Sequence, residues 1–444
     1  MTMPSFSHRS LSSIGITASA MLTLAAIGQP SLTWVGTPLQ VVDASADGTA
    51  LVGTGGTQTF TGTDPAYYWS VTGGLVQLPI NGAGGTVNRA GVSAMSADGQ
   101  AIIGWLYNAP TYNMYFPATW NASAPGVIGT FLTPANATGR GIGGDISADG
   151  TRIAALYDLT APATTTAFIR NSIGGTWTAL DTPSAQRRFT SVVLSRSAQH
   201  ACGGFVTSSP QNIQGFIWSA SGGFAQIALP AGFPAFNPRA ISDNGSVIAG
   251  VARSQSTPTT SLFTPFYWTP TAGYRAMPLP SPAVTGGVND LSGDGLIAVG
   301  QVGDSAGFNN ARAVVWTPQG VFTVAQLATQ AGVGIANVQF VSADVIAADG
   351  SFIIGTGSRR VGASTLLDTY ILRNIFIPRC DSIDFNRNSV FPEDQDVIDF
   401  FSVLSGGACS TGPSCSDGDF NNNGMHPEDV DVIDFLDVLA GGRC

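Results

Sequence analysis

Short apolar runs rich in Val, Ile and Leu alternate along most of this chain with small polar stretches built on Asp-Gly. Ser45-Ala46-Asp47-Gly48 precedes Leu51-Val52-Gly53, and Ser96-Ala97-Asp98-Gly99 precedes Ile102-Ile103-Gly104. The pattern returns at Ser147-Ala148-Asp149-Gly150, in a worn form at Ser195-Arg196-Ser197-Ala198 ending in Cys202-Gly203, and at Ser242-Asp243-Asn244-Gly245. Ser292-Gly293-Asp294-Gly295 and Ala347-Ala348-Asp349-Gly350 complete the series, at intervals of about fifty residues. Asp-Gly or Asn-Gly between β-branched runs is a hairpin signal, because Gly accepts the positive φ of a tight turn and Asp and Ser bond the local backbone. The apolar runs are too short for ordinary helices and are expected as strands, with the closing Gly letting neighbouring backbones approach.

Between these turns a second element recurs, as Tyr67-Tyr68-Trp69, Ala118-Thr119-Trp120, Phe216-Ile217-Trp218, Phe266-Tyr267-Trp268 and Val314-Val315-Trp316. It leads through Gly into a further apolar stretch, as in Gly73-Gly74-Leu75-Val76-Gln77-Leu78. Each unit therefore holds about four strands, the content of one propeller blade. Seven units predict a seven-bladed all-β propeller over residues 29–378. The last unit lacks a trailing strand after Asn374, and a spare segment, Leu32-Thr33-Trp34-Val35-Gly36, precedes the first turn. The N-terminal strand is expected to complete the final blade and close the ring. The Ser-x-Asp-Gly…Val-x-Gly units with their upstream Trp resemble the bacterial extracellular HAF-type repeat, a likeness that covers most of residues 30–378 and implies no chemistry of its own.

His8-Arg9 followed by the apolar run Ile14–Ile27 and small residues predicts a secretory signal over residues 1–28, too short and too interrupted by Ser and Thr to span a membrane. The mature chain is expected outside a bacterial cell, with no spanning segment. Charge is unevenly placed. Lys is absent, and residues 29–379 hold 15 Arg and 15 Asp, whereas residues 380–444 hold 2 Arg against 11 Asp and 2 Glu. A neutral propeller lacks the basic stripe that nucleic acid requires. The acidic tail needs counter-ions.

That tail, residues 379–444, repeats one unit twice. Asp384-Phe385-Asn386-Arg387-Asn388-Ser389 and Asp419-Phe420-Asn421-Asn422-Asn423-Gly424 carry oxygen ligands at positions 1, 3 and 5 of a calcium loop. Asp384, Asn386 and Asn388, then Asp419, Asn421 and Asn423, are the expected side-chain ligands, with Val390 and Met425 offering carbonyls. Each loop feeds an amphipathic helix: Val397, Phe400, Phe401 and Leu404 repeat as Val432, Phe435, Leu436 and Leu439. Ile398, Val403, Ile433 and Val438 fall off that stripe and are expected to form a partner surface.

This duplicated loop and helix, with its bounding cysteines and its Asp-Phe-Asn-x-Asn-Gly and Asp-Val-Ile-Asp-Phe motifs, resembles the dockerin family over residues 380–444. The resemblance implies a small all-α domain with two calcium sites, docking onto a cohesin-like protein or cell-surface scaffold. Three departures stand out. Where the family places a carboxylate at position 12, this chain has Gln395 and Val430; a one-residue lengthening around Pro392 and Pro427 would bring in Asp396 and Asp431, with Asp394 and Asp429 as competitors. Ser389 replaces the loop glycine, which should strain the bend. Cys380, Cys409, Cys415 and Cys444 suit an oxidising compartment. Cys380–Cys409 with Cys415–Cys444 is favoured by the internal repeat, and Cys380–Cys444 with Cys409–Cys415 is equally symmetric.

No catalytic residue is assigned. Glu occurs only at Glu393 and Glu428, and the propeller holds a single His, His200, in the worn fourth turn. Asp43, Asp145 and Asp290 precede their turns at similar places and are positioned to face a central channel, and Cys202 is expected as a buried thiol. The reading is a secreted, non-catalytic recognition protein, its propeller binding an unassigned ligand. The alternative is an extracellular carbohydrate-active enzyme, a hydrolase or lyase acting on polysaccharide, delivered by the same tail. A channel lined by paired Asp would favour the alternative.

Overall fold

In the computed structural model, each Asp-Gly stretch closes the hairpin between the first two strands of a four-stranded antiparallel sheet. The residues described are 28–55, 65–80, 87–108, 114–130, 133–160, 164–171, 175–181, 187–207, 213–229, 231–254, 262–412, 415–422, 425–442 and 444. The signal expected over residues 1–28 lies almost wholly outside them.

Seven sheets form the blades of a propeller. Blade 1 runs Leu39–Ala44, Ala50–Gly55, Ala66–Ser70, Gly74–Gln77, and blades 2 to 6 begin at Val87, Ala137, Arg187, Ala235 and Thr285. Blade 7 holds Val338–Phe340, Val345–Ile346, Phe352–Val361 and Ser364–Arg373. Its outer strand is Ser31–Trp34, paired antiparallel with Ser31 against Arg373 and Trp34 against Tyr370. The chain thus closes its ring with its N-terminal strand, as expected. Asp368 and Thr369 fasten the closure: Asp368 Oδ1 accepts Gly36 N at 2.9 Å, and Thr369 Oγ1 accepts Leu39 N at 2.9 Å.

The turn chemistry recurs wherever the Ser-x-Asp/Asn-Gly sequence is kept. Ser45 Oγ donates to Asp47 Oδ1 at 2.7 Å while accepting Ala50 N at 2.9 Å, and Ser242 with Asn244 and Val247 does the same. The turn glycines sit at positive φ, 63° at Gly48 and 80° at Gly295, and in the worn copy Ala198 is held at 49°. Neighbouring turns bond blade to blade: Ala46 N donates to Ala97 O at 2.8 Å, Ala97 N to Ala148 O at 2.8 Å, and Gly293 N to Ala348 O at 2.9 Å. The second glycine of the repeat has another task. A Cβ at Gly104 would lie 2.1 Å from Gly91 O, and one at Gly355 would lie 1.9 Å from Ser342 O. This close approach accompanies a bulge in the inner strand, seen as register shifts at Val41/Asp43, Val92/Ala94, Gly143/Asp145, Pro238/Ala240 and Val288/Asp290.

One element has no counterpart in the repeat. Val324–Gln330 is a short helix between blades 6 and 7, started by a capping box of Thr323 and Gln326 and held by buried Val324, Leu327 and Ala328. Among the described residues no helix is long and apolar enough to cross a membrane.

The tail is a separate two-fold unit of helices Asp394–Leu404 and Asp429–Leu439. Phe400 and Phe435 stack at 4.0 Å between centroids, and Phe385 and Phe420 pack edge-on against them. The two halves exchange backbone bonds, Asp381 N to Phe420 O at 2.9 Å and Ser416 N to Phe385 O at 3.2 Å. Disulfides join Cys380 to Cys444 and Cys409 to Cys415. The pairing within each repeat, favoured above, is therefore corrected. The halves pack face to face around the phenylalanines, which sets the first cysteine of one beside the last of the other. Arg379 ties the tail to the propeller, pairing with Asp294 and donating to Asp349 O at 2.6 Å.

Candidate functional site

Two places gather chemistry. The first is the channel at the centre of the ring, a cavity of ≈ 400 Å³ lined by the inner strands and by the second residue of the turns. Asp43, Asp145 and Asp290 all line it. Each is a bracket between blades. Asp43 accepts Ala44 N at 2.7 Å and Met95 N of the next blade at 2.8 Å. Asp145 accepts Ile146 N at 2.7 Å and Leu194 N at 2.7 Å, and Asp290 accepts Leu291 N at 2.8 Å and Ile346 N at 2.9 Å. Burial pushes these carboxyls up, to about 6 at Asp43, about 8 at Asp145 and about 7 at Asp290, against the opposing pull of those N–H bonds. The carboxylates of the turns behave oppositely. Thr49 N at Asp47 and the Ser96 and Ser147 hydroxyls at Asp98 and Asp149 hold them below the usual range.

Sequence reasoning missed the rest of the channel lining. Arg239 occupies a bulge in blade 5 and donates from Nη1 to Asn289 Oδ1 at 3.1 Å. Asn289 Nδ2 in turn donates to Ala343 O at 3.0 Å and to Asp344 Oδ1 at 3.3 Å. Asp344, pushed up to about 7 by burial, also accepts Ser342 Oγ at 3.1 Å. The bulge positions were the available signal, since an extra residue opposite the repeat's second glycine is the one turned out of the ladder. His200 stands apart from the channel lining, its ring against Gly245. Cys202 is fully buried, as expected.

The second place is the pair of loops in the tail. In the first, Asp384 accepts Asn388 N and Ser389 N, each at 3.0 Å, and Asn388 Oδ1 accepts Val390 N at 2.7 Å. Asn386 is buried, and its N–H points to Asp396 Oδ1 at 3.4 Å. The second loop repeats this, Asn421 N to Asp431 Oδ1 at 3.5 Å. Asp396 and Asp431 are both fully buried, whereas Asp394 and Asp429 are exposed. The lengthened loop therefore turns Asp396 and Asp431, rather than their competitors, toward positions 1 to 5. Asp396 Oδ2 is buried and lacks a hydrogen-bond partner among the described residues. Glu393, which sequence reasoning passed over, accepts from Asn386 Nδ2 at 3.2 Å and from Asn388 Nδ2. Asn423 lies outside the described residues, and Val390 and Met425 are exposed.

These donors suit a hard cation. Two carboxylates, two amide side chains and Glu393 are all oxygen donors gathered on one loop, and a buried carboxylate oxygen without a proton donor is costly unless something positive meets it. Asp384, Asn386, Asn388 and Asp396 would hold calcium in the first loop, and Asp419, Asn421 and Asp431 in the second.

The partner surface needs correction. Ile398 and Ile433 are exposed at 58% and 61%, but Val403 and Val438 pack against the domain core. Phe401 and Leu436, assigned to the inward stripe, are instead exposed at 41% and 45%. With Phe400 at the centre of the buried face, Val403 lies about 60° round the helix and Phe401 about 100°, so the former is drawn in and the latter left at the flank.

No protein-family model matches the chain, and no curated protein matches it. Solved structures similar to it include oligogalacturonate lyase from Vibrio parahaemolyticus, covering 77% of this chain and 93% of that one at 13% identity and a TM-score of 0.47. The β-propeller domain of the Trilobed protease from Pyrococcus furiosus covers 78% and 95% at 11% identity and a TM-score of 0.47. TolB from Acinetobacter baumannii covers 78% and 96% at 12% identity and a TM-score of 0.40. At such identities nothing about chemistry carries over. The chain is a seven-bladed propeller bearing a small helical tail.

Proposed function

We propose that this is a secreted, non-catalytic recognition protein whose propeller displays a binding site and whose tail, folded around calcium, anchors it to a cohesin-like partner on a scaffold or cell surface. The observation that carries the tail's part is the buried Asp396 oxygen left without a hydrogen-bond donor, beside Asp384, Asn386 and Asn388. The repetition of the same carboxylate at Asp431 supports a second site. The exposed Ile398, Phe401, Ile433 and Leu436 supply the apolar face that a docking partner would cover. Two disulfides suit the oxidising exterior.

The propeller's part rests on how its acids are used. The channel is lined by Asp, as an enzyme would require, but Asp43, Asp145 and Asp290 each spend one oxygen on the N–H of the following residue and the other on an N–H of the next blade. A carboxylate committed in this way is a poor general base. That favours binding over hydrolysis or elimination.

The test is calcium titration of the full chain by calorimetry and thermal melting, with Asp396→Ala and Asp431→Ala as variants. Calcium at a hundredfold its dissociation constant should stabilise the tail by about 3 kcal/mol per site, and each variant should lose one site. Absence of calcium binding to the wild-type chain would remove the anchoring role. With calcium bound, Ile398→Asp and Ile433→Asp should abolish binding to a cohesin panel without altering the calcium isotherm.

A further inference from the structure

Round the channel, the inner strands do not contribute alike. At the bulge positions blades 1 to 4 present Val42, Ser93, Gly144 and Ser191, all small or apolar, beside the bracket acids Asp43 and Asp145 and the turn residue Arg196. Blades 5 to 7 present Arg239, Asn289 and Asp344, linked by hydrogen bonds of 3.1 and 3.3 Å. At the bulge positions the ring is thus small-sided over blades 1 to 4, with Val42 of blade 1 beside blade 7 and Gly144 of blade 3 across from blade 6, while blades 5 to 7 form a continuous edge of guanidinium, amide and carboxylate. Arg239 is exposed to the channel, and among the described residues Asn289 Oδ1 is its one hydrogen-bond partner. Its remaining N–H groups are donors to spare, while Asp344 keeps acceptor capacity beyond Ser342 and Asn289.

The ligand such a wall accepts is constrained by charge. A free cation would meet Arg239 and Arg196, and the nearest bracket acids have both oxygens engaged. An anion would meet Asp344 and the surplus of carboxylates that line the cavity. A neutral molecule avoids both penalties if it offers neighbouring groups that donate and accept at once. Vicinal hydroxyls do this: one accepts from a guanidinium or amide while the next donates to a carboxylate. The opposite face of a pyranose ring carries C–H groups, which suit Val42, exposed at 37%, and Gly144. The cavity of ≈ 400 Å³ lies within the range of about 300–1,000 Å³ for small-molecule sites.

We propose that the channel is a saccharide site, taking a neutral pyranose with its vicinal hydroxyls on Arg239, Asn289 and Asp344 and its C–H face toward Val42. This deepens the recognition role given to the propeller and rests on it.

Saturation-transfer NMR of the full chain with D-glucose, D-galactose, D-mannose and D-galacturonate tests it. Transfer to at least one neutral hexose is expected, with Arg239→Ala and Asp344→Ala each weakening it about tenfold or more. Val42→Trp fills the lumen from blade 1, replaces none of the three polar residues and should abolish transfer, which guards against variants that merely disturb the ring. Circular dichroism checks that each variant folds. No transfer to any of these hexoses, transfer to galacturonate alone, or transfer that survives Val42→Trp and Asp344→Ala together would overturn the proposal. Conversion of a bound sugar during the same spectra would keep the saccharide site and overturn the non-catalytic reading instead, so the two fail separately.

Discussion

The propeller and the tail are both built by repetition, and both put Asp beside their turns, yet they use the carboxylate in opposite ways. In the ring the turn and bracket acids are saturated: Asp47 takes the Ser45 and Thr49 hydroxyls and Thr49 N, and Asp145 takes N–H groups from two blades. In the tail, Asp396 is buried with an oxygen unbonded among the described residues. The difference teaches where to look for function. A satisfied Asp is part of the frame, and an unsatisfied one marks a place where something else is meant to arrive. The two regions also close differently. The ring joins residues 31–34 to 370–373 through strand pairing, and the tail joins Cys380 to Cys444 through a covalent bond.

The largest expected effect breaks the second closure. Replacing Cys380 and Cys444 by Ser releases a loop of 64 residues and should cost the tail about 4 kcal/mol, whereas Cys409→Ser with Cys415→Ser releases one of 6 and should cost about 2. Differential scanning calorimetry should show the tail transition falling while the propeller transition stays put. A fall in both would mean that the tail supports the ring.

Next in size are the brackets. Asp145→Ala leaves Leu194 N and Ile146 N without their acceptor and should cost the propeller about 3 kcal/mol in denaturant unfolding, against roughly 1 for the exposed Asp47→Ala. Their titration sharpens the contrast. The bracket acids have folded-state values raised to about 6, 8 and 7, above the unfolded value of about 3.9. The folded ring then holds more protons than the unfolded chain between pH 8 and 4, so their contribution to stability is present in acid and lost as pH rises through those values. The turn acids, held low, act oppositely and lose their contribution only as pH falls below about 4. The propeller should therefore melt higher at pH 5 than at pH 8. The calcium-induced shift of the tail should not follow that trend, because none of the bracket acids belongs to its loops. Parallel behaviour of the two transitions would contradict the division of roles.

Much of this was legible in the chain because repetition amplifies weak local signals. One Asp-Gly turn predicts a hairpin, but seven in phase predict a ring, and the spare strand at Leu32–Trp34 matched the missing strand after Asn374. What escaped was whatever depends on which residues meet across repeats. Arg239 and Asp344 are unremarkable in sequence and acquire meaning from the inner strands that bring them into one channel. The disulfide pairing hinged on the stacking of Phe400 on Phe435, which sets the two halves face to face. Val403 and Phe401 exchanged expected places because helical periodicity fixes relative angles and not the centre of the buried face. The helix Val324–Gln330 was hidden by being a single departure from an otherwise regular unit.

The smallest effects compare the same repair in both regions. Ala198 and Ser389 each occupy a turn position with φ of 49° and 68°, where their repeat elsewhere has glycine. The left-handed conformation costs a residue with a Cβ roughly 1 kcal/mol or more relative to glycine. Ala198→Gly should raise the propeller transition by about that amount and leave calcium binding unchanged, since that turn is no part of the calcium loops and, among the described residues, the Ala198 carbonyl takes only the Arg152 side chain. Ser389→Gly acts on a loop whose neighbouring amides also point at Asp384, so relief of strain should appear as tighter calcium binding, about fivefold in the first site. If Ser389→Gly stabilises the tail equally with and without calcium, that loop is a turn like those of the ring, and the first site does not differ from the frame around it.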